Sequence, residues 1–243
     1  MSLKIKGMNK NNSSLSFFDH LDELRGRLTK CIISIVVMAC IFYAFIDKIF
    51  AWIIKPVGKV FFTAPGDAFG AQITLTVLGG VLLSFPFILY QIWAFVAQGL
   101  KPQEKKYVFF FAPFSLGLFI LGALFGYFVM VPISIKFLLS FSSDFIQPMI
   151  TVKNYISFVG TWILACGITF ELPLVLMFLT KIGIATPAFL IDKRRHAIVI
   201  ILIVSAVITP STDCISQLIM AVPLIILYEI GIFVSQLTYK KSF

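Results

Sequence analysis

With 243 residues, 59% of them hydrophobic, 13% charged and 27 of them phenylalanine, the chain carries more apolar surface than a soluble domain of this size can hide. Lipid must therefore solvate most of it. The net charge of +9 does not mark a nucleic-acid binder, because the basic residues flank apolar runs and form no patch interleaved with aromatics.

Residues 1–15 are polar and read as a disordered tail; no apolar core makes them a signal peptide. The stretch Ser16 to Leu28 then reads Ser-Phe-Phe-Asp-His-Leu-Asp-Glu-Leu-Arg-Gly-Arg-Leu. Leu21, Leu24 and Leu28 recur at helical spacing, while His20, Glu23 and Arg27 share another stripe. Ser16 with Asp19 three residues on supplies a helix start, since both side chains can accept from free amides. The segment is predicted to be an amphipathic helix lying on the membrane ahead of the first span.

Charged residues partition the rest into apolar runs. The first, Cys31 to Phe50, is long enough to cross a hydrocarbon core of about 30 Å at about 1.5 Å per residue. The second lies between Asp67 and Lys101, the third between Lys106 and Lys136, the fourth between Lys153 and Lys181. The last run, His196 to Tyr239, overshoots a bilayer and is interrupted by Thr209-Pro210-Ser211-Thr212-Asp213. Proline stops the incoming helix and Ser, Thr or Asp can cap the outgoing one, so a hairpin is expected. Its first helix has only about 14 residues, roughly 20 Å, so the membrane should thin there or the flanks should snorkel. The expectation is an all-α, polytopic membrane protein of six spans, forming one domain over residues 16–239 with a short tail at 240–243.

Fifteen of the twenty Lys and Arg residues fall on the side that carries both termini; Lys48, Lys55, Lys59, Lys136 and Lys153 fall on the other. By the positive-inside rule both ends are expected to be cytoplasmic. Outside, Lys55-Pro56 and Thr63 to Asp67 punctuate the first loop, and Ile133 to Phe141 is expected at the outer interface. Gly117, Gly122, Ala123 and Gly126 line the third span with small residues that let a neighbouring helix approach.

Glu171 is the sharpest single signal. It lies about ten residues, roughly 15 Å, from the end of the fourth span, hence near mid-membrane. Ionising a carboxylate there costs at least a few kcal/mol, so the side chain needs a proton or a polar partner. Thr209 and Gln217 are the candidate partners by type; Glu229 sits nearer the cytoplasmic end and reads as structural. Glu104 lies in the turn Gln98 to Lys106, where an acid before a helix suits the macrodipole. Glu23 has a bland pairing of its own with Arg27, at i and i+4. Together Glu23 and Glu104 are two carboxylates on one membrane face, suited to paired guanidinium groups.

Enzyme chemistry finds no footing. There is no Gly-x-Ser-x-Gly, no phosphate loop and no His-Glu-x-x-His, and Cys31, Cys40, Cys166 and Cys214 lack metal-like spacing. No catalytic residue, metal or cofactor is assigned, and small thiols within apolar runs are the expected role of the cysteines.

Several motifs, taken together and in order, resemble the TatC family, the multispanning core of the twin-arginine protein translocase. They are His20-Leu-Asp-Glu-Leu-Arg-Gly-Arg-Leu28, Pro86-Phe-Ile-Leu-Tyr-Gln-Ile-Trp-Ala-Phe95, the loop with Glu104, Phe170-Glu-Leu-Pro173, Ile208-Thr-Pro210 with Asp213, and Glu229-Ile-Gly231. The resemblance implies a glove-shaped bundle with its last two helices short, in a bacterial inner membrane or an organellar inner or thylakoid membrane. It implies a receptor that exports folded cargo on the proton-motive force, recognising twin-arginine signal peptides. By this resemblance Glu23 and Glu104 bind the arginine pair, with Phe95 and Arg25 beside them. Glu171 faces a concave cavity where single-span TatA- and TatB-type subunits dock, with the last two spans, and so Thr209 and Gln217, contributing. Pro56 and Asp213 are implied as functional positions on the external face, and further TatC copies as members of a hetero-oligomer. Gln98 stands where the family usually has proline and Lys101 where an aromatic is common. The competing reading is a proton-coupled small-molecule transporter using Glu171, although the repeats common in such proteins are missing here.

Overall fold

The computed structural model describes residues 17–57, 60–100, 105–143, 147–209 and 213–240. Ten α-helices and one π-helical turn make up the regular structure of these residues.

The helix α1 (Phe17–Tyr43) contains both the amphipathic stretch and the first span, as one element of 27 residues. The expected separate surface helix is therefore the opening of the span itself. No proline or capping side chain separates Leu28 from Cys31, and Gly26 alone is too weak a breaker to stop a helix that continues into an apolar run. A turn at Ala44 and Phe45 ends α1, and α2 (Ile46–Ile54) follows. Next comes α3 (Asp67–Gln98), then α4 (Lys105–Phe125), which widens into a π turn at Gly126–Met130 and continues as α5 (Val131–Leu139). Pro132 lacks an N–H and crowds the carbonyl four residues back, which a local widening accommodates. The stretch expected at the outer interface is thus helical through Leu139 and prolongs the third span.

The fourth span is two helices, α6 (Val152–Thr169) and α7 (Leu172–Lys181). Pro173, at the start of α7, cannot donate back to the preceding turn, and the helix breaks over Phe170 and Glu171. A short α8 (Pro187–Asp192) leads to the last pair, α9 (Arg194–Ile208) and α10 (Cys214–Lys240). Asp213 caps α10 by accepting from the Ser216 amide at 2.6 Å. Pro210, Ser211 and Thr212 lie outside the described residues.

Among the described residues, five stretches are long and apolar enough to cross a membrane: Leu21–Tyr43, Asp67–Gln98, Phe111–Leu139, Val152–Lys181 and Cys214–Tyr239. The sixth, α9, has 15 residues and so extends about 22 Å. The expected shortness of the last pair belongs to α9 alone, since α10 has 27 residues.

The start of α1 defines a proximal face; the α1–α2 turn lies toward the distal one. One apolar cluster contains Trp162, Ile156 and Val159 of α6, Met130 of the π turn, and Met220 and Leu224 of α10. Near the proximal face, Trp93, Phe111 and Phe178 from α3, α4 and α7 cluster with ring centroids 5.1–5.8 Å apart. Glycines set the closest crossings. A Cβ on Gly80 would lie 2.7 Å from Ala39 Cβ, where α1 crosses α3, and one on Gly122 would lie 2.5 Å from the Cys166 carbonyl. Gly126 is similarly pressed on Trp162, whereas Gly117 faces open space and does not serve the packing role expected of it.

Hydrogen bonds brace the distal side. Phe61 exchanges backbone hydrogen bonds with Ile150 and Val152 at 3.0 and 2.8 Å, pairing the two distal loops. Asp67 Oδ2 accepts from the Thr63 amide and hydroxyl and from the Ala64 amide. The Tyr155 hydroxyl donates to the Ile53 carbonyl at 3.0 Å, tying α2 to α6.

Candidate functional site

On the proximal face, the opening of α1 lies against the end of α3. Arg27 donates through Nε to Glu23 Oε1 at 2.7 Å, and its Nη2 lies 2.6 Å from the same oxygen. The i and i+4 pairing expected of these residues is present. Arg27 Nη1 reaches the other way and donates to Gln91 Oε1 of α3 at 2.9 Å. Gln91 is buried, and the charged pair is about one-fifth exposed. The guanidinium thus holds the Glu23 carboxylate from one side and is held from the other. Among the described residues Glu23 Oε2 has no hydrogen-bond partner.

Phe95 is half-buried one helical turn beyond Gln91, on the same face of α3. Arg25 is exposed, and its carbonyl accepts from the Thr29 hydroxyl at 2.9 Å. Glu104 lies outside the described residues, as do Gln103 and Lys101, and so do the side chains of residues 17–20, His20 included. Gln91 was passed over in the sequence although it stands inside a quoted motif. Its signal was an amide in an otherwise apolar run, four residues before Phe95.

Glu171 sits in the break between α6 and α7, partly buried, and accepts from the Ser115 hydroxyl of α4 at 3.1 Å. Ser115 is fully buried. Thr209 and Gln217, the partners expected by residue type, are engaged elsewhere. The Thr209 hydroxyl donates to the Ser205 carbonyl, and the Gln217 amide donates to the Leu202 carbonyl at 2.9 Å, closing the α9–α10 hairpin. Glu229 accepts from Arg194 at 2.8 Å, a structural ion pair between the start of α9 and α10. Pro56 is exposed just after α2, and Asp213 serves the α10 cap. No group of three or more His, Cys, Asp or Glu residues among those described is arranged to hold a metal.

These features define a helical integral membrane protein with a part-buried charged cluster at one face and an acid, Glu171, between its helices. Residues 19–223 match the family model for the Sec-independent protein translocase protein, TatC. The chain is 38% identical over 233 residues to Sec-independent protein translocase protein TatC of Carboxydothermus hydrogenoformans, covering 94% of this chain and 96% of that protein. It is 34% identical over 223 residues to TatCd of Bacillus subtilis, covering 91% and 92% of the two chains. A crystal structure of the twin arginine translocase receptor TatC superposes with a TM-score of 0.81 at 36% identity, over 90% of this chain and 99% of that one. The chain belongs to the TatC family, the core subunits of twin-arginine translocases. These matches favour a translocase component over a small-molecule transporter.

Proposed function

We propose that this chain is the receptor of a twin-arginine translocase, seated in a bacterial inner membrane with both termini in the cytoplasm. It binds the signal peptides of folded cargo at the proximal face, and export draws on the proton-motive force. Its partners are TatA- and TatB-type single-span subunits and further TatC copies. The observation that carries this reading is the Glu23 carboxylate, which already holds a guanidinium through two short contacts in a half-buried setting.

The electrostatics indicate why two acids are needed. Arg27 neutralises Glu23, so that pair alone attracts a further cation only weakly. Glu104 supplies the net negative charge, while Oε2 of Glu23 accepts one guanidinium of the incoming pair. Arg27, itself anchored on Gln91, keeps the carboxylate in one orientation and so lowers the entropy lost on binding. The Phe95 ring offers a face to the guanidinium or to the apolar part of the signal. Arg25 is an exposed cation on the same helix as Glu23. Glu171 with Ser115 forms a polar contact for a partner's transmembrane helix. Thr209 and Gln217 shape the neighbouring hairpin, and Pro56 and Asp213 shape the external end. The chemistry is recognition and docking, with no covalent step.

The test is crosslinking of a twin-arginine signal peptide to the protein in membranes. Glu23→Ala and Glu104→Ala are each expected to abolish the crosslink while membrane insertion stays intact. Normal crosslinking in the double variant would refute the two-carboxylate site.

A further inference from the structure

Two adjoining cavities lie between α2, α3, the π turn and α6, toward the distal face. The deeper one, about 340 Å³, is lined by apolar side chains such as Leu78, Phe119, Ile120 and Ile163, together with the amphipathic Trp52 and Tyr127. The outer one, about 640 Å³, is bordered by Lys55 and Lys136. Both are walled by Trp52, Tyr127 and Phe128, so the two adjoin along those side chains.

We propose that this space is a binding site for one anionic phospholipid of the distal leaflet. Its phosphate lies between Lys55 and Lys136, and an acyl chain fills the deeper cavity. Three observations support this occupant. Both lysines are exposed, and neither belongs to an ion pair among the described residues, so two like charges border one cavity without a counter-ion. This is also the face poor in cations: of its five lysines, two border this opening. The wall is amphipathic in the right order, because the Trp52 and Tyr127 rings stack at 4.7 Å between the charged mouth and the apolar depth. Indole and phenol rings favour that headgroup level.

The space opens sideways to the bilayer past Trp52, Phe128, Ile120 and Leu124, all about half exposed. A transmembrane helix fits it poorly. A cylinder about 10 Å across would fill 340 Å³ in less than one helical turn. A flexible hydrocarbon chain suits the shape, and burying it is favourable by the ordinary hydrophobic gain per methylene.

The experiment is native mass spectrometry of the full chain, purified in detergent and offered phosphatidylglycerol or phosphatidylcholine with identical acyl chains. One phosphatidylglycerol should stay bound at collision energies that strip phosphatidylcholine. The double substitution Lys55→Gln with Lys136→Gln, on the protein surface, should cut that retention about tenfold, because each surface cation adds to the attraction for an anionic headgroup. Ala123→Phe, which fills the deeper cavity, should reduce retention of both lipids. Equal retention of the two lipids by the unaltered chain would overturn the proposal, as would undiminished phosphatidylglycerol retention in the double lysine variant. Should Ala123→Phe fail to fold, the lysine pair still decides the matter. Loss of the lipid to an added single-span partner helix, with no dependence on the lysines, would assign the space to that helix instead.

Discussion

Arg27 Nη1 and Gln91 Oε1, 2.9 Å apart, join the opening of α1 to the end of α3. Because Gln91 is buried, this bond fixes where the guanidinium sits, and through it where Glu23 sits. A surface ion pair at i and i+4 would contribute only a few tenths of a kcal/mol. The third partner makes this one a positioned group.

Replacing Gln91 by Leu removes the neutral acceptor of Arg27 while leaving the apolar surroundings filled. Unfolding in detergent should show a loss of about 1–3 kcal/mol, the cost of a half-buried donor left without its acceptor. Signal-peptide affinity should fall as well, with Gln91→Glu retaining more of it than Gln91→Leu. Unchanged affinity in both variants would remove the positioning role.

Glu171→Gln keeps an acceptor for the Ser115 hydroxyl and should preserve both the fold and signal-peptide binding. Ser115→Ala removes the donor and should destabilise the protein by about 1–3 kcal/mol. Were Glu171→Gln to unfold the protein, the acid would be a structural element and not a docking contact. Transport measured in vesicles with the partner subunits separates the two roles.

Gly80→Leu should loosen α1 from the bundle, because even a Cβ there meets Ala39 backbone atoms at 2.8 and 2.9 Å. Overpacking of this kind costs about 1–3 kcal/mol or more. Protease sensitivity of α1 is the measurement. Gly117→Leu, facing open space, should leave that sensitivity as it was.

The 15-residue α9 starts at Arg194, whose partner Glu229 lies about as deep along α10. Both side chains are nearly half exposed. If the bilayer thins at α9, the pair is wet, and Arg194→Ala should cost no more than about 1 kcal/mol. A loss of about 3–5 kcal/mol would mean the pair is buried in hydrocarbon and the membrane there is of full thickness.

The spans were readable because lipid imposes a local rule. About 20 apolar residues between charged flanks cross a bilayer whatever their neighbours are. The break at Thr209 to Asp213 followed from residue chemistry in the same way, whereas the fourth span was read as continuous and the break before Pro173 emerged only in the fold. The joining of the amphipathic stretch to the first span was less legible, since a helix continues wherever nothing stops it, and Gly26 was too weak a stop.

The sequence by itself determined the number and order of the spans, the short α9, the Glu23–Arg27 pair and the family, because each rests on residues close along the chain or on ordered motifs. Only the tertiary structure decided that Gln91 anchors Arg27, that Glu171 meets Ser115 and not Thr209 or Gln217, and that Lys55 and Lys136 border one cavity. Those pairs are 64, 56 and 81 residues apart along the chain. Helical periodicity shows which side of a helix a residue occupies, but partners across an interface depend on how the helices rotate and cross.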